Sequence, residues 1–264
     1  MEKKAAAVSI IMPAYNAAAY IEKSVQSVLA QTMPDFELII VNDGSKDNTA
    51  ELIQALAEKD GRIRALSIEN RGPALARNYA LEQLNGETGY VCFIDSDDIL
   101  LPDALEYALS GAKSGADIVI HGFTIVNADG SERNYSEPEA VLELAGIGGD
   151  FARLYRANLL NQVWGKLYKA ELIMKNKVRF QDYRWGEDRL FVFDCLEHAA
   201  RLAVLPECKY RYIMHKGESL ISRFYDKKAE VCRLSDKRVA ELCAKFGAGD
   251  DPWLRCMFAK SVFS

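Results

Sequence analysis

Tyr90-Val91-Cys92-Phe93-Ile94-Asp95-Ser96-Asp97-Asp98 sets the frame for the whole chain. Five apolar residues of strand length run into four polar ones, three of them carboxylic acids. A run with no polar alternation predicts a strand covered on both faces, the usual state of a parallel strand. Working toward the N-terminus, the pattern recurs. Val8-Ser9-Ile10-Ile11-Met12 is closed by Pro13 and followed by Ala14-Tyr15-Asn16. Phe36-Glu37-Leu38-Ile39-Ile40-Val41 ends at Asn42-Asp43-Gly44-Ser45, and Ile63 to Ile68 forms a third such run. Between these runs, Ile21, Val25, Val28 and Leu29, and then Leu52, Ile53 and Leu56, repeat at helical spacing. Asn16 is the expected cap of the first helix, and Asn48 with Glu51 the expected capping box of the second, which Lys59-Asp60-Gly61 stops. Gly72-Pro73 opens a third helix through about Leu84, with Asn85-Gly86 after it. Four strand–helix alternations predict an α/β fold, a Rossmann-like and mostly parallel sheet flanked by helices. Asp117 to His121 adds another strand.

Moving outward the other way, the texture changes near Asn127, with Asp129-Gly130 and Gly146-Ile147-Gly148-Gly149 as breaks. From Phe151 the chain is richer in aromatic and basic residues and reads as mainly helical. The expected organisation is an α/β half over residues 1–125, a second half of the same domain over 126–222, and a C-terminal helical segment over 223–264.

Among the 264 residues, 49% are hydrophobic and 27% charged, and the net charge is −5. That balance suits a packed globular chain and lacks the basic excess a nucleic-acid binder needs to neutralise phosphates. The six cysteines include no CxxC pair and are joined by three histidines, which argues against a zinc site and for reduced thiols in the cytoplasm. Met1-Glu2-Lys3-Lys4 leads straight into the first strand, so no secretory leader is expected. No apolar stretch reaches the roughly 20 residues that span a bilayer.

Open parallel sheets bind ligands beyond the carboxyl ends of their strands. Three predicted ends carry polar clusters: Pro13-Ala14-Tyr15-Asn16, Asn42-Asp43-Gly44-Ser45 and Asp95-Ser96-Asp97-Asp98. In an extended segment Asp95 and Asp97 project to one side. The crowded carboxylates repel, and a hard divalent cation relieves the repulsion. The other reading is a polar turn in which Ser96 or Asp98 caps the next helix. Asp43 at a strand end can accept from a base N–H such as that of uracil, or close an Asx-turn. Glu187-Asp188, after Trp185-Gly186 and before Leu190-Phe191-Val192-Phe193, either favours the positive end of a helix or supplies a general base.

The ordered set Pro13-Ala14-Tyr15-Asn16, Val41-Asn42-Asp43-Gly44-Ser45, Arg71-Gly72, Ala76-Arg77-Asn78, Asp95-Ser96-Asp97-Asp98, Trp164-Gly165-Lys166-Leu167-Tyr168 and Gly186-Glu187-Asp188 resembles the family 2 glycosyltransferases. It is similar to the small bacterial members that build capsule, exopolysaccharide or lipopolysaccharide, over about Val8 to Ser222. The resemblance implies a GT-A fold, a nucleoside-diphosphate sugar donor, a glycan or lipid-linked acceptor, Mn²⁺ or Mg²⁺, inversion at the anomeric carbon, and work at the cytoplasmic face of a membrane. Carried over by position, Pro13, Ala14 and Tyr15 line the nucleoside and Asp43 meets a base, with uracil expected. Asp95 and Ser96 approach the ribose, with Asp95 also reaching the metal through water. Asp97 ligates the metal, Asp188 is the base, and Arg71 and Arg77 approach the nucleotide or diphosphate. His215, or Lys216 beside it, stands where relatives place a basic or metal-binding group.

Two features depart from the family pattern. Gly165 stands where relatives often have Asn. Gln181-Asp182-Tyr183-Arg184-Trp185 spells a string of processive synthases, but it precedes the acidic pair instead of following it, and is read as coincidence. Rival readings are a sugar nucleotidyltransferase, which would carry a Gly-rich, Arg-containing loop after the first strand, and a nucleotide-sugar-binding module without turnover.

Overall fold

The computed structural model describes residues 6–84, 86–183, 185–215 and 228–248. The chain begins β1 (Val8–Ala14), α1 (Ile21–Leu29), β2 (Phe36–Asp43), α2 (Thr49–Lys59), β3 (Ile63–Ile68), α3 (Pro73–Glu82), β4 (Tyr90–Phe93). That is the predicted alternation. Next come β5 (Ile99–Leu100), α4 (Ala104–Ala112), β6 (Ile118–Val126), β7 (Glu132–Tyr135), β8 (Ala140–Glu143) and α5 (Gly148–Arg156). The rest is β9 (Lys166–Lys169), α6 (Ala170–Lys175), α7 (Glu187–His198), β10 (Arg201–Ile213) and α8 (Lys228–Phe246).

All strands join one sheet, ordered β3-β2-β1-β4-β9-β6-β10-β5, with β7 on β6 and β8 on β10. The first four strands are parallel, as their apolar runs require: every residue of β1 and β2 is buried. Beyond them β6 and β10 also run parallel, so the sheet is mostly parallel as expected, with antiparallel strands added to it. β9 is wedged antiparallel between β4 and β6, and β5, β7 and β8 also pair antiparallel. The second half is helical in α5, α6 and α7, and the C-terminal segment in α8, yet β9 and the long β10 complete the same sheet. Their alternating charged and aromatic residues, Lys166-Leu167-Tyr168-Lys169 and Lys209-Tyr210-Arg211-Tyr212, hide a strand from a reading tuned to apolar runs.

Two predicted caps are made otherwise. Asn16 adopts a left-handed φ of 49° and its Oδ1 accepts from the Lys46 amide, so it ties the loops after β1 and β2 and does not cap α1. At α2, Asp47 Oδ1 accepts from the amide and hydroxyl of Thr49, and Asn48 makes no capping bond. Asn85 and Arg184 lie outside the described residues.

The order β3-β2-β1-β4 positions the site. From β1 the chain moves outward to β2 and β3, then returns to the opposite side of β1 for β4. The reversal leaves a crevice beyond the carboxyl ends of β1 and β4. The β1–β4 ladder stops at Ile11 and Phe93, with Ile94 N bonded to Ile11 O. Pro13, which has no N–H to offer, falls just after β4 has left, where the sheet tolerates it. Beneath the crevice Phe93, Tyr168, Phe180 and Phe191 pack ring on ring. Phe180 stacks on Phe191 at 4.0 Å, and Phe93 meets both edge-on. At ~0.5–1.5 kcal/mol per pair beyond burial, this cluster is a rigid floor. Among the described residues no helix is long and apolar enough to cross a membrane.

Candidate functional site

Arg77 is the hub. α3 starts with Pro73 at its first turn, and its alanines 74, 76 and 80 are buried. Such small side chains let the helix lie close to the sheet and carry the guanidinium inward, to 3% exposure. Nη2 donates to Asp95 Oδ1 at 2.7 Å, and Nη1 to Asp188 Oδ1 at 2.9 Å and Glu187 Oε1 at 3.4 Å. The Phe180 ring lies 5.4 Å from Cζ. Burial alone would pull the Arg77 pKa down, but Asp188, Asp95 and Glu187 outweigh it and hold the group above its ordinary value. The Nη donors of Arg77 thus go to carboxylates of the site, while its buried Nε has no hydrogen-bond partner among the described residues.

Asp188 is on the first turn of α7, whose cap is Gly186 in a left-handed conformation. Its Oδ2 accepts from the Val163 amide at 3.3 Å, and its side chain stays 19% exposed. Burial raises its pKa above the usual carboxylate range, against the pull of Arg77. Glu187 is raised too, first by burial and then by Asp188. The acidic pair opens α7, as one reading expects, and it enters the same charged cluster as Asp95.

The acidic tetrad is a turn, with Asp98 N bonded to Asp95 O, and not the extended segment the sequence suggests. The carboxylates therefore diverge. Asp95 faces Arg77. Asp98 is fully buried and accepts from the Tyr210 hydroxyl at 2.6 Å and the Ile213 amide at 2.8 Å, so it braces the turn against β10. Burial pushes its pKa well up. Ser96 and Asp97 form the turn itself. Asp97 points outward, 40% exposed, with Oδ2 3.5 Å from His215 Nε2. Burial and the nearby Asp95 push its carboxyl up to about 6, a shift that solvent at so open a side chain moderates. His215 stacks on Tyr20 at 4.0 Å, and its buried Nε2 has no hydrogen-bond partner. An orphaned imidazole nitrogen beside a half-exposed carboxylate is a donor pair that suits a divalent ion whose remaining ligands come from phosphate. Among the described residues no group of three or more His, Cys, Asp or Glu forms a ready-made cage. Lys216 lies outside the described residues.

At the end of β1, Pro13 and Ala14 are buried, and Tyr15 beyond them is 45% exposed. Asp43 is buried, and its oxygens accept from the Arg71 and Gly72 amides, both at 2.8 Å. It thereby fixes the loop after β3 and leaves the Arg71 side chain exposed. The turn is closed instead by Asn42, whose Oδ1 accepts from Ser45 N three residues on. Gly44 is required: its φ is 65°, and a Cβ would stand 2.7 Å from Asn70 N. Gly165 also has a positive φ, 67°, while a Cβ there would meet nothing closer than 3.7 Å. The position asks for a left-handed backbone, which both Gly and Asn supply, so the departure at 165 keeps the conformation.

The sequence does not single out Tyr210 or Tyr20, and it offers Asn78 and Lys166 only as members of motifs, without a role. Asn78 clamps Phe180 through both its backbone groups, at 2.8 Å each. Tyr210, with Trp164 stacked on it at 4.4 Å, also receives the Asp95 amide. A buried tyrosine needs a partner for its hydroxyl, and that is the one available signal.

Residues 9–180 match the family described as Glycosyl transferase family 2. The chain is 32% identical over 211 residues to the glycosyltransferase EpsJ of Bacillus subtilis, covering 78% of this chain and 60% of that one. It is 31% identical over 222 residues to the poly(ribitol-phosphate) β-N-acetylglucosaminyltransferase TarP of Staphylococcus aureus, covering 80% and 64%. Thus the chain spans less than two thirds of the length of these relatives. Among solved structures it is similar to S. aureus TarS in complex with UDP-GlcNAc, with a TM-score of 0.75 at 24% identity, covering 90% of this chain and 71% of TarS. That likeness establishes a shared fold.

Proposed function

This chain belongs to glycosyl transferase family 2, and from that membership we propose that it transfers a sugar from a UDP-linked donor to a hydroxyl of a glycan or lipid-linked acceptor, with inversion. One observation supports the reading: Asp188 and Asp95, 93 positions apart, grip one guanidinium, so the carboxylate at the start of α7 is brought beside the one that follows β4. Asp188 takes the proton of the acceptor hydroxyl. The acceptor oxygen forms its bond to the anomeric carbon as the bond to the diphosphate oxygen breaks on the opposite face. The diphosphate departs with that electron pair. The raised pKa of Asp188 makes it a better base than an ordinary carboxylate. The rigid mounting of Asp188 and Asp95 on Arg77 keeps the cluster from reorganising as charge moves.

Asp97 and His215 are the proposed metal contacts, with Asp95 behind them. A Mn²⁺ or Mg²⁺ ion there would neutralise the charge developing on the departing diphosphate. The excess of negative charge supports this, since Arg77 is one cation facing three carboxylates. Mn²⁺ is expected to tighten UDP binding by about tenfold or more, and Asp97→Asn to reduce that gain to the level seen with EDTA, leaving the fold intact. Titration calorimetry measures both. Equal UDP affinity with Mn²⁺ and with EDTA in the unmodified protein would remove the metal from the mechanism.

UDP-GlcNAc in the TarS complex and the N-acetylglucosaminyl transfer in the name of TarP support a UDP-linked hexose or N-acetylhexosamine as the donor. Asp43 is the proposed uracil contact, each oxygen having a second lone pair beside its bond to the Arg71–Gly72 loop. Asp43→Ala is expected to weaken UDP binding by about 1–3 kcal/mol and to lower stability as that loop loses its anchor. UDP is expected to bind more tightly than GDP or ADP. A flat preference across the three nucleotides counts against the assignment.

A further inference from the structure

The residues around Asp188 include a second support that the reaction scheme does not use. Its Oδ1 is taken by Arg77 and its Oδ2 by the Val163 amide. Val163 sits in the stretch Gln162–Gly165, which is neither helix nor strand, so its carbonyls have no ladder to satisfy them. Each is nonetheless claimed from within. Lys166 Nζ donates to Gln162 O at 2.6 Å and to Trp164 O at 3.4 Å. The Tyr168 hydroxyl donates to Val163 O at 3.0 Å, and the His121 amide to Gly165 O at 3.1 Å. With all four carbonyls turned inward, the Val163 N–H is left facing Asp188.

We propose that Lys166 is a positioning residue for Asp188: with Tyr168 it pins the loop Gln162–Gly165 so that the Val163 N–H fixes the plane of the Asp188 carboxylate. The proposal rests on the reading of Asp188 as the base. A carboxyl group turns freely about its last torsion, and one donor on Oδ1 would leave that rotation open. A second donor on the other oxygen closes it, which matters for a group that must meet a hydroxyl proton along one direction. Lys166 is buried, at 2% exposure, and its hydrogen bonds go to those two carbonyls. Burial pulls its pKa down to about 7. An apolar side chain would fill the space without that penalty, but it would release Gln162 and Trp164. A neutral amine still has two N–H groups to give, so the grip does not depend on the charge.

The test is amide exchange at Val163 followed by NMR in the full chain, together with UDP release from UDP-GlcNAc. In Lys166→Met, exchange at Val163 is expected to rise by about tenfold or more while the amides of Ile10, Ile11, Leu38 and Ile39 keep their rates. Under the same substitution kcat falls by about tenfold or more and KM for UDP-GlcNAc is unchanged. Tyr168→Phe, an isosteric change, gives a smaller shift of the same kind and carries the test if Lys166→Met does not fold. Unchanged exchange at Val163 overturns the proposal. So does acceleration spread equally over the β1 and β2 amides, the mark of a residue that only adds stability. The two readings fail separately. Full turnover in Asp188→Asn removes the base. Loss of turnover in Asp188→Asn with Val163 exchange unaltered in both loop variants keeps the base and removes the support.

Discussion

Asp188→Asn is expected to reduce kcat by about 10²–10⁴. The amide has the shape of the carboxylate and can still accept the Val163 N–H and one Arg77 donor, so the local structure survives. What it lacks is basicity. UDP affinity should hardly move, because the proposed uracil contact, Asp43, bonds the Arg71 and Gly72 amides and shares no hydrogen bond with Asp188. Stability should change little as well: Arg77 keeps Asp95 as its shortest partner, at 2.7 Å. If Asp188 only favoured the start of α7, the loss would be limited to about 0.3–1 kcal/mol of stability, with turnover near normal. Glu187→Gln is the control. Glu187 lies 3.4 Å from the guanidinium against 2.9 Å for Asp188, and it is the more buried of the two. Its substitution should be milder. Initial rates of UDP release with saturating donor, beside UDP affinities by calorimetry, decide the matter. A kcat within twofold of the parent for Asp188→Asn would end the assignment.

Arg77→Met is expected to cost about 3–5 kcal/mol of stability at neutral pH, the range for removing one partner of a buried ion pair. Methionine replaces most of the stem, so packing on Phe180 is largely kept and the loss is electrostatic. Glu187 and Asp188 would then lose the guanidinium that offsets their burial, and their folded-state pKa values would climb further. The pH dependence follows. A carboxyl group whose folded pKa is raised binds more protons in the folded state than in the unfolded one, so stability falls as pH rises through that window. The deficit of the variant should be largest above the raised values and shrink on acidification toward the unfolded carboxylate range. Urea midpoints at pH 5 and pH 7.5 measure it. Arg77→Lys should recover only part of the loss, because a point ammonium cannot reproduce two donors directed at Asp95 and Asp188. A variant as stable as the parent at pH 7.5 would show that the three carboxylates are already neutral or hydrated, and that Arg77 is not the hub.

Local sequence carried much of this protein. The runs at Val8–Met12, Phe36–Val41 and Tyr90–Ile94 announce buried parallel strands, because a strand covered on both faces has no polar face to show. The helical stripes between them dictate crossovers, and crossovers put all the strand ends at one edge, so Tyr15, Asp43 and Asp97 could be placed together before any coordinates. What the sequence by itself could not decide are directions and pairings. It could not tell that Asp97 points out and Asp98 in, since that follows from a tight turn braced by Tyr210, 112 positions away. Nor could it tell that the helix α3 brings Arg77 to Glu187 and Asp188, 110 and 111 positions on. It missed that β9, with Lys166 and Tyr168, is inserted between β4 and β6 and delivers the Val163 amide to Asp188. A strand's period and a turn's residues are set by neighbours a few bonds away, where steric repulsion and hydrogen bonding act within the segment. A buried charge instead takes whatever partner the packed chain brings within about 3 Å, because at low dielectric an unpaired charge is too costly to leave, and that partner is chosen only when the sheet closes.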